Sequence, residues 1–356
     1  MDQKFRERIY DTILMCPTLH LRLFRLNSFL LFVSQDMPEW MTEAGVPELL
    51  AGDEKGMIAC SDTEIGDDGA IALAKIIEAN PEKIMSVFAS GCGIGAEGIK
   101  ALCKALGTCE EVMMVDVGNN PIGPEGGEAL GELAGSGSIC NLVCGSCSLG
   151  DEGISSLCKG IEAGAPETLS RLNIDSNGMG SDGLAALASM LADNKSIGAL
   201  VIGGNSLEGE GLERFAASYE ISETLEMVSL AGGSLGDEGL AAIVSALAYN
   251  KSVYELDLSD CGIGSEGAGF IAGAFSENTS LADVNLSGNP IGDDGATALV
   301  DLIGANTKIE VLGLSGCGIG PEGGAALAAA CKASETLSDM NLADNDVGDE
   351  VMAMLE

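Results

Sequence analysis

The chain has 356 residues, 46% of them hydrophobic, and its 55 acidic and 17 basic side chains give a formal net charge of −38. Such an acidic surface repels nucleic acids and anionic membranes and attracts basic proteins, which excludes the DNA- and RNA-binding classes. Because His20 is the single histidine, Ser-His-Asp, Cys-His and histidine-ligated metal sites lack a base or a ligand in the rest of the chain.

The beginning of the chain differs in composition from the rest. We therefore divide the chain into an N-terminal segment at residues 1–54 and a repeat domain at residues 55–356. An apolar stretch at 19–33 contains Arg22 and Arg25, and these two charges argue against a membrane span.

Two candidate helix starts follow that stretch, each with a proline in the first turn, at Pro38 and Pro47. They predict cap helices, because the first unit of a repeat array needs a cover. A cleaved targeting segment is the alternative, since residues 12–35 contain no acidic side chain. A partner-binding role of this segment also stays open.

A glycine-rich turn with the G-x-G-x-x-G spacing of dinucleotide-binding proteins occurs four times. The four copies are Gly93–Gly98, Gly178–Gly183, Gly262–Gly267 and Gly318–Gly323. One pyrophosphate needs one such turn, and each copy carries a carboxylate, such as Glu97, where an anion would approach the backbone amides. We therefore reject a dinucleotide site and expect no cofactor.

The second glycine of this turn, or the residue in its place, recurs eleven times at a spacing close to 28 residues. The positions are Gly66, Gly95, Gly123, Gly150, Gly180, Glu208, Gly236, Gly264, Gly292, Gly320 and Gly348. Eleven copies at one period indicate a solenoid built from one repeated unit.

Each unit changes from strand-like to helix-like periodicity. Val284 and Leu286 alternate with polar residues, which predicts a short strand with one buried face. Leu299 and Ile303 are four residues apart, which predicts one buried stripe on a helix. A single unit does not bury that stripe, so the stacking of units stabilises the array.

From Leu281 to Ile303 the chain matches, almost position by position, the pattern LxxLxLxxN/CxIxxxGxxxLxxxL of ribonuclease-inhibitor-type leucine-rich repeats. The chain resembles this subfamily over residues 55–356. The resemblance implies an α/β leucine-rich-repeat solenoid, or horseshoe, of about eleven strand–turn–helix repeats of 28 residues. Parallel strands would line its concave face and helices its convex face.

The Asn/Cys position of that pattern has a physical role. A side chain turned inward after the strand must satisfy backbone groups that the turn removes from the sheet. Asparagine does so with its amide and cysteine with its thiol, whereas Gly233 has to rely on neighbours or water. The column reads Thr63, Cys92, Asn120, Cys147, Asn177, Asn205, Gly233, Cys261, Asn289, Cys317 and Asn345.

The four cysteines of this column lie at least two repeats apart, about 10 Å at normal strand spacing, which is too far for a disulfide. We therefore expect free thiols and an intracellular reducing compartment, the cytoplasm unless the N-terminal segment directs the chain to an organelle. Cys144 and Cys147 form a C-x-x-C sequence. They fall on a buried strand position and on the column, so we expect neither a redox nor a metal site.

Part of the acidic excess has a structural explanation. Sixteen acids lie between the last two glycine positions of the turns, for example at Asp67-Asp68 and Asp293-Asp294, where a helix begins. We attribute them to the helix dipole, which favours negative charge at that end.

Outward-facing strand positions form the surface on which we expect a protein partner. Repeats two to seven present small and apolar groups with one basic residue, whereas repeats eight to eleven are acidic and rich in amides. The predicted binding residues are Phe88, Met114, Asp116, Arg171, Asn173, Asp175, Glu255, Asp257, Asp283, Asn285, Asp339 and Asn341.

These features favour a non-enzymatic scaffold whose concave face binds a basic protein. A GTPase-activating protein is one alternative, because the Ran GTPase activators resemble this repeat type; Asn120, Asn177 and Arg171 would then act on the GTPase. A fixed subunit of a larger assembly is the other alternative. The sequence predicts no catalytic residue, no cofactor and no metal ligand.

The eleventh unit is short, because only residues 351–356 follow its turn and they form under two helical turns. A repeat array normally ends in a polar cap, and uncovered strand edges attract other strands. We therefore expect the C-terminal face of the solenoid to be covered by a second copy or by a partner subunit.

Overall fold

The computed structural model describes residues 30–32, 56–110, 112–276 and 278–355. The cap helices predicted at Pro38 and Pro47 lie outside these residues, so the boundary after residue 54 stays a prediction. Leu30–Phe32 form a short strand that pairs with the first repeat, which the sequence analysis does not predict.

One sheet contains all the described strands. They are β1 (Leu30–Phe32), β2 (Gly56–Ala59), β3 (Ile84–Phe88), β4 (Val112–Asp116), β5 (Ile139–Val143), β6 (Arg171–Asn173), β7 (Ala199–Val201), β8 (Met227–Ser229), β9 (Glu255–Asp257), β10 (Asp283–Asn285), β11 (Val311–Gly313) and β12 (Asp339–Asn341). Each strand pairs in parallel with its neighbours, and the order in the sheet is the order in the chain.

A helix follows each strand from β2 onward. The helices are α1 (Gly66–Ala79), α2 (Ala96–Leu106), α3 (Gly127–Gly135), α4 (Gly150–Gly164), α5 (Ser181–Asp193), α6 (Gly209–Ile221), α7 (Gly236–Leu247), α8 (Ser265–Phe275), α9 (Gly292–Ala305), α10 (Pro321–Ala333) and α11 (Asp349–Leu355). Short 3-10 turns at Pro81–Lys83 and Pro124–Gly126 precede β3 and α3. This arrangement confirms the predicted solenoid of strand–turn–helix units.

The core is one continuous layer between the sheet and the helices. The middle residue of each short strand points into it; Val284 of β10 and Leu286 just after that strand are fully buried. The helical pair Leu299 and Ile303 of α9 lies on the other side of the layer and is also buried. Each such side chain contributes about 1.5–3 kcal/mol on burial, and neighbouring units supply the contacts.

The inward asparagine of each turn joins two repeats. Asn289 accepts hydrogen bonds at Oδ1 from the amides of Cys261 (2.9 Å) and Ile263 (3.0 Å) in the preceding unit. Its Nδ2 donates to the carbonyl oxygens of Leu258 and Leu286, both at 2.8 Å. Asn120, Asn177, Asn205 and Asn345 repeat the pattern. The predicted role of the column is confirmed.

The cysteines of the column make fewer of these hydrogen bonds to the backbone. The thiols of Cys147, Cys261 and Cys317 donate to a carbonyl oxygen of the preceding unit at 3.2–3.3 Å. Unlike asparagine, these cysteines accept no hydrogen bond from the backbone amides of the preceding unit. At Gly233 the amide closes the turn onto the Leu230 carbonyl (2.9 Å), and a β-carbon there would lie 2.5 Å from Cδ1 of Leu207.

Eleven cysteines lie in the described part of the chain, and nine of them are buried. One close pair was not anticipated: Sγ of Cys92 lies 4.0 Å from Sγ of Cys60 in the adjacent repeat. Cys144 and Cys147 occupy the buried strand end and the column, as predicted.

The acids at the helix starts have a second role besides the helix dipole. Asp293 in the first turn of α9 accepts hydrogen bonds at Oδ1 from the amides of Gly320 (2.7 Å) and Gly323 (3.0 Å) in the next unit. Asp67, Asp151 and Asp237 make the equivalent bonds. The amides of each G-x-G-x-x-G turn are thus occupied by a carboxylate of the same chain, which agrees with the rejected dinucleotide site.

Helices α3 and α4 approach each other more closely than side chains normally allow. A β-carbon on Gly131 would lie 2.7 Å from the Leu157 carbonyl oxygen, and one on Gly160 would meet the backbone of Gly131. Helices usually pack 8–10 Å apart whereas strands are about 4.8 Å apart. The glycine contact reduces this difference between α3 and α4.

The last unit is shorter than the others. In α11, Val351 is buried, while Met352 and Met354 are exposed. Within the described residues β12 pairs with β11 alone, and Asp339 and Asn341 of β12 are exposed.

We predict that Asn289→Ala lowers the free energy of unfolding by about 3 kcal/mol or more, because two buried amides and two carbonyls lose their partner. Asn345→Ala removes equivalent bonds at the partly exposed end of the column, where water can replace them. We expect about half the loss there, measured by urea unfolding. Equal losses at the two positions would contradict a burial-dependent role.

The cysteines provide a second prediction. Burial raises the pKa of Cys261 to about 12, so its reactive thiolate is rare at pH 8. Cys331 is partly exposed. We expect an alkylating reagent to modify Cys331 in the native protein about 100-fold faster than Cys261, as followed by mass spectrometry of the peptides. Similar rates at the two thiols would show that the column opens readily.

Candidate protein-binding face

The sheet face turned away from the helices, which we call the concave face, is made of regular columns. The last residues of strands β2 to β12 are in register and form a central column, which contains six of the residues predicted from the sequence. That column runs Ala59, Phe88, Asp116, Val143, Asn173, Val201, Ser229, Asp257, Asn285, Gly313 and Asn341.

A flanking column lies two residues earlier on each strand. Its members are Met57, Ser86, Met114, Asn141, Arg171, Ala199, Met227, Glu255, Asp283, Val311 and Asp339. Asp175 belongs to neither column and follows the end of β6. The structure therefore brings the predicted residues to one face and divides them among neighbouring positions.

Phe88 and Met114 do not project from this face. Each is only 5% exposed, and they pack with Ala59 in a small apolar cluster that Met57 and Val143 border. Alternation along a strand places both side chains on the concave side, but bulky neighbours on adjacent strands cover one another. These two residues therefore form the floor of the face, which corrects their expected role as projecting contacts.

A groove of about 430 Å³ opens above this floor, at the carboxyl ends of β3 to β6. Asp116 and Asp175 line it as predicted, and Asp62, Ser90 and Asn119 also line it. Asp62, Ser90 and Asn119 lie in the turns after the strands, so the alternation of residues along a strand does not predict their positions. Asp62 and Asn119 have φ values of 61° and 55°; both residue types tolerate this left-handed region and recur in turns.

The acidic half of the face contains a second groove, of about 400 Å³, at β9 to β12. Asp257 in its central column is held in place: its carboxylate accepts from the Ser259 amide (3.0 Å) and hydroxyl (2.7 Å), Asn285 Nδ2 (3.1 Å) and the Ser229 hydroxyl (3.1 Å). Asn285 Oδ1 accepts from the Ser287 amide in turn. These side chains stabilise the strand ends as well as lining the groove.

The flanking acids are held differently. No described residue donates a hydrogen bond to the carboxylates of Glu255, Asp283 or Asp339, and all three line the same groove. Burial, and then the charges of Asp257 and Asp339, raise the pKa of Asp283. Burial and the charge of Asp283 raise the pKa of Glu255, and the charge of Arg171 partly offsets this rise. The three carboxylates thus repel one another, and no basic side chain of the described residues forms an ion pair with them.

Arg171 is the one basic residue in the central and flanking columns. It lies on β6, three strands from Glu255 of β9, and Ala199 and Met227 occupy the positions between them. Its Nε and Nη1 atoms are buried and have no hydrogen-bond partner among the described residues. Burial lowers the pKa of the guanidinium, and Glu255 raises it.

Two residues considered for action on a GTPase are not accessible. Asn120 and Asn177 are 1% and 2% exposed, and their amides are used by the inward column. They therefore hold the turns and do not reach a surface. Within the described residues, no group of three or more His, Cys, Asp or Glu side chains has a metal-binding arrangement.

No described helix is both long and apolar enough to cross a membrane. Comparison with curated protein sequences gives no match. Among solved structures the chain is similar to actin-binding site 2 of leiomodin-1, at 20% identity over 37% of this chain and 78% of that one, with a TM-score of 0.34. It is also similar to an internalin from Listeria monocytogenes, at 14% identity over 85% of this chain and 76% of that one, with a TM-score of 0.45.

A family model described as a leucine-rich repeat matches seven segments of the chain. They are residues 61–74, 90–103, 114–131, 165–188, 249–272, 277–300 and 305–328. The matched segments, the parallel sheet, the inward asparagine column and the outer helices together show the architecture of a leucine-rich-repeat solenoid.

Proposed function

We propose that this solenoid is a non-enzymatic interaction scaffold that binds a basic protein through its concave face. Glu255, Asp283 and Asp339 supply the contact carboxylates, while Asp257, Asn285 and Asn341 line the same groove. Asp116, Asn173 and Asp175 extend the contact across β4 to β6, over the floor formed by Phe88 and Met114.

The row of flanking carboxylates without internal partners is the observation that carries this proposal. Burial and mutual repulsion raise the pKa of Glu255 and Asp283 in the folded chain. A carboxyl whose folded pKa lies above its unfolded value destabilises the fold at neutral pH, and this cost disappears as the pH falls through the folded value. A lysine or arginine of a partner would offset the same cost at neutral pH.

The chemistry of the face also indicates how binding is distributed. The central and flanking columns of β2 to β12 expose no large aromatic anchor, the usual hot spot of protein interfaces, because Phe88 is buried. Complementary charge acts mainly on the rate of association and on the choice of partner. We therefore expect rapid, salt-sensitive binding spread over several repeats.

The two alternatives have less support. A GTPase activator would need polar residues on the turns to reach the GTPase, and Asn120 and Asn177 are buried in the column. A fixed subunit of an assembly would keep one partner permanently, and a groove lined by ionised carboxylates is more typical of exchangeable, polar interfaces.

The ribonuclease-inhibitor type of repeat and the reducing compartment belong to the same proposal. The 28-residue period and the alternation of asparagine and cysteine in the inward column support the repeat type. Free, buried thiols in the described residues support a reducing intracellular compartment, the cytoplasm in the simplest case.

The proposal predicts that the triple variant Glu255→Gln, Asp283→Asn and Asp339→Asn loses its basic partners. Asp257 is left unchanged, because its carboxylate holds three neighbouring side chains and a backbone amide. Native lysate would be passed over the immobilised wild-type and variant chains, and the retained proteins identified by mass spectrometry. We expect basic proteins to be retained by the wild type and depleted on the variant.

The matched control is Glu266→Gln, Asp294→Asn and Glu322→Gln, which removes the same charge from exposed acids at three helix starts. It should retain the partners of the wild type. For a retained protein, association should slow and lose salt dependence with the concave variant alone. Equal retention on both variants would place the interface elsewhere.

We also propose that the open edge of β12 is covered, by a second copy or by a partner subunit, because an unpaired strand edge attracts other chains. Light scattering of the purified chain at roughly tens of micromolar tests the first version. A dimer is expected if copies pair at this edge. A monodisperse monomer would contradict self-pairing and leave the partner subunit, which native mass spectrometry of the purified complex would reveal.

A further inference from the structure

We propose that Arg171 is the binding residue for a carboxylate of the partner, so that the partner carries an acidic group beside its basic surface. This inference rests on the proposed function and adds the chemistry of a second contact. It assigns a separate ligand class, a carboxylate, to the half of the concave face that lacks the acidic row.

The side chain of Arg171 makes no hydrogen bond or ion pair with a described residue that would hold the fold. Its Nε and Nη1 atoms are buried without a hydrogen-bond partner, although a guanidinium offers five N–H donors. Buried donors without acceptors cost free energy, and the cost is larger for a charged group. If Arg171 served packing alone, an apolar side chain of similar length in its place would make the fold more stable.

No carboxylate among the described residues satisfies the guanidinium of Arg171. The ion pairs within 4.0 Å in the described residues are Lys100 with Glu97 and Arg214 with Glu210. Glu255 influences Arg171 through its charge, but the two side chains form no ion pair within 4.0 Å, and their strands lie three spacings apart, about 14 Å. Burial and repulsion still raise the pKa of Glu255 despite Arg171, so the two side chains do not neutralise each other.

The neighbours of Arg171 in the flanking column carry no negative charge. Ala199 and Met227 occupy the flanking column between Arg171 and Glu255, and neither can accept a hydrogen bond from a guanidinium as a carboxylate does. Asn141 precedes Arg171 in the column, is buried, and accepts from Ser170. The residue Arg171 itself is partly exposed. Rotation about its own χ angles would therefore bring the guanidinium to a carboxylate that enters from solvent.

The geometry also fixes a spacing on the partner. A segment that crosses the strands would place its carboxylate over β6 and its basic side chains over β9 to β12, at least about 14 Å away. An extended chain covers this distance in about five residues. A small acidic group placed among the basic residues themselves would instead meet the acidic row and be repelled.

Synthetic peptides test this arrangement. Each has four lysines, a Gly-Ser linker of two or six residues, and a C-terminus that is either a free carboxylate or a carboxamide. Binding to the wild type, to Arg171→Gln and to Arg171→Met would be measured by fluorescence anisotropy. We expect the six-residue carboxylate peptide to bind the wild type about fivefold more tightly than its carboxamide, as one charge-assisted contact allows.

The controls make the result specific. The two-residue linker, about 7 Å long when extended, is shorter than this distance, so its carboxylate should give a smaller gain than the carboxylate on the six-residue linker. In Arg171→Gln the free carboxylate should weaken binding, because it then meets only an acidic face, while the lysine-dependent binding remains. Equal affinity of carboxylate and carboxamide peptides for the wild type would overturn the inference about Arg171 alone. If the lysines of these peptides contribute nothing to binding the wild type, the proposed function and this inference are both wrong.

Thermal unfolding of the unliganded Arg171→Met variant gives an independent readout. We expect a melting temperature equal to or above that of the wild type, because the variant removes a buried charge without partners. A clear fall in the melting temperature would show that Arg171 stabilises the fold, and would contradict its assignment as a residue kept for binding.

Discussion

The hydrogen bonds of the inward asparagines are the interaction on which the rest of this structure depends. Each turn takes backbone groups out of the sheet and buries them, and a buried amide without an acceptor costs about 1–3 kcal/mol. Asn289 supplies acceptors for two amides of the preceding unit and donors for two carbonyls at the strand ends. The bond crosses from one repeat to the next, so the same contact closes a turn and fixes the stacking.

Once the turns are held from inside, the outward strand positions have little structural work left. The flanking column can then contain a repelling row of carboxylates at Glu255, Asp283 and Asp339, and a guanidinium without partners at Arg171. Such groups reduce the stability of the free chain. Their cost is tolerable because the continuous core and the column bonds are repeated in every unit, and under the proposed function a partner that supplies the missing charges would offset it.

Much of this architecture is readable from the sequence because its causes are local and periodic. The spacing of the turn glycines, the Asn/Cys column and the central strand column were all predicted at the positions where they lie. What could not be predicted depends on contacts between repeats. The forward bond of Asp293 to the next turn joins residues 27 and 30 positions apart, and the helix dipole alone explains an acid there. Likewise, alternation places Phe88 outward but does not reveal that Met114 and Ala59 cover it.

Native-state amide hydrogen exchange tests the central claim most directly, because it reports how often each turn opens. The amides of Cys261 and Ile263, which donate to Asn289, should exchange only through cooperative unfolding of the array. They should be among the slowest in the molecule, together with the strand amides of the core. Exchange of these two amides at the rate of an exposed turn residue such as Gly262 would contradict the account, because the turns would then open without the column and something else would hold the repeats in register.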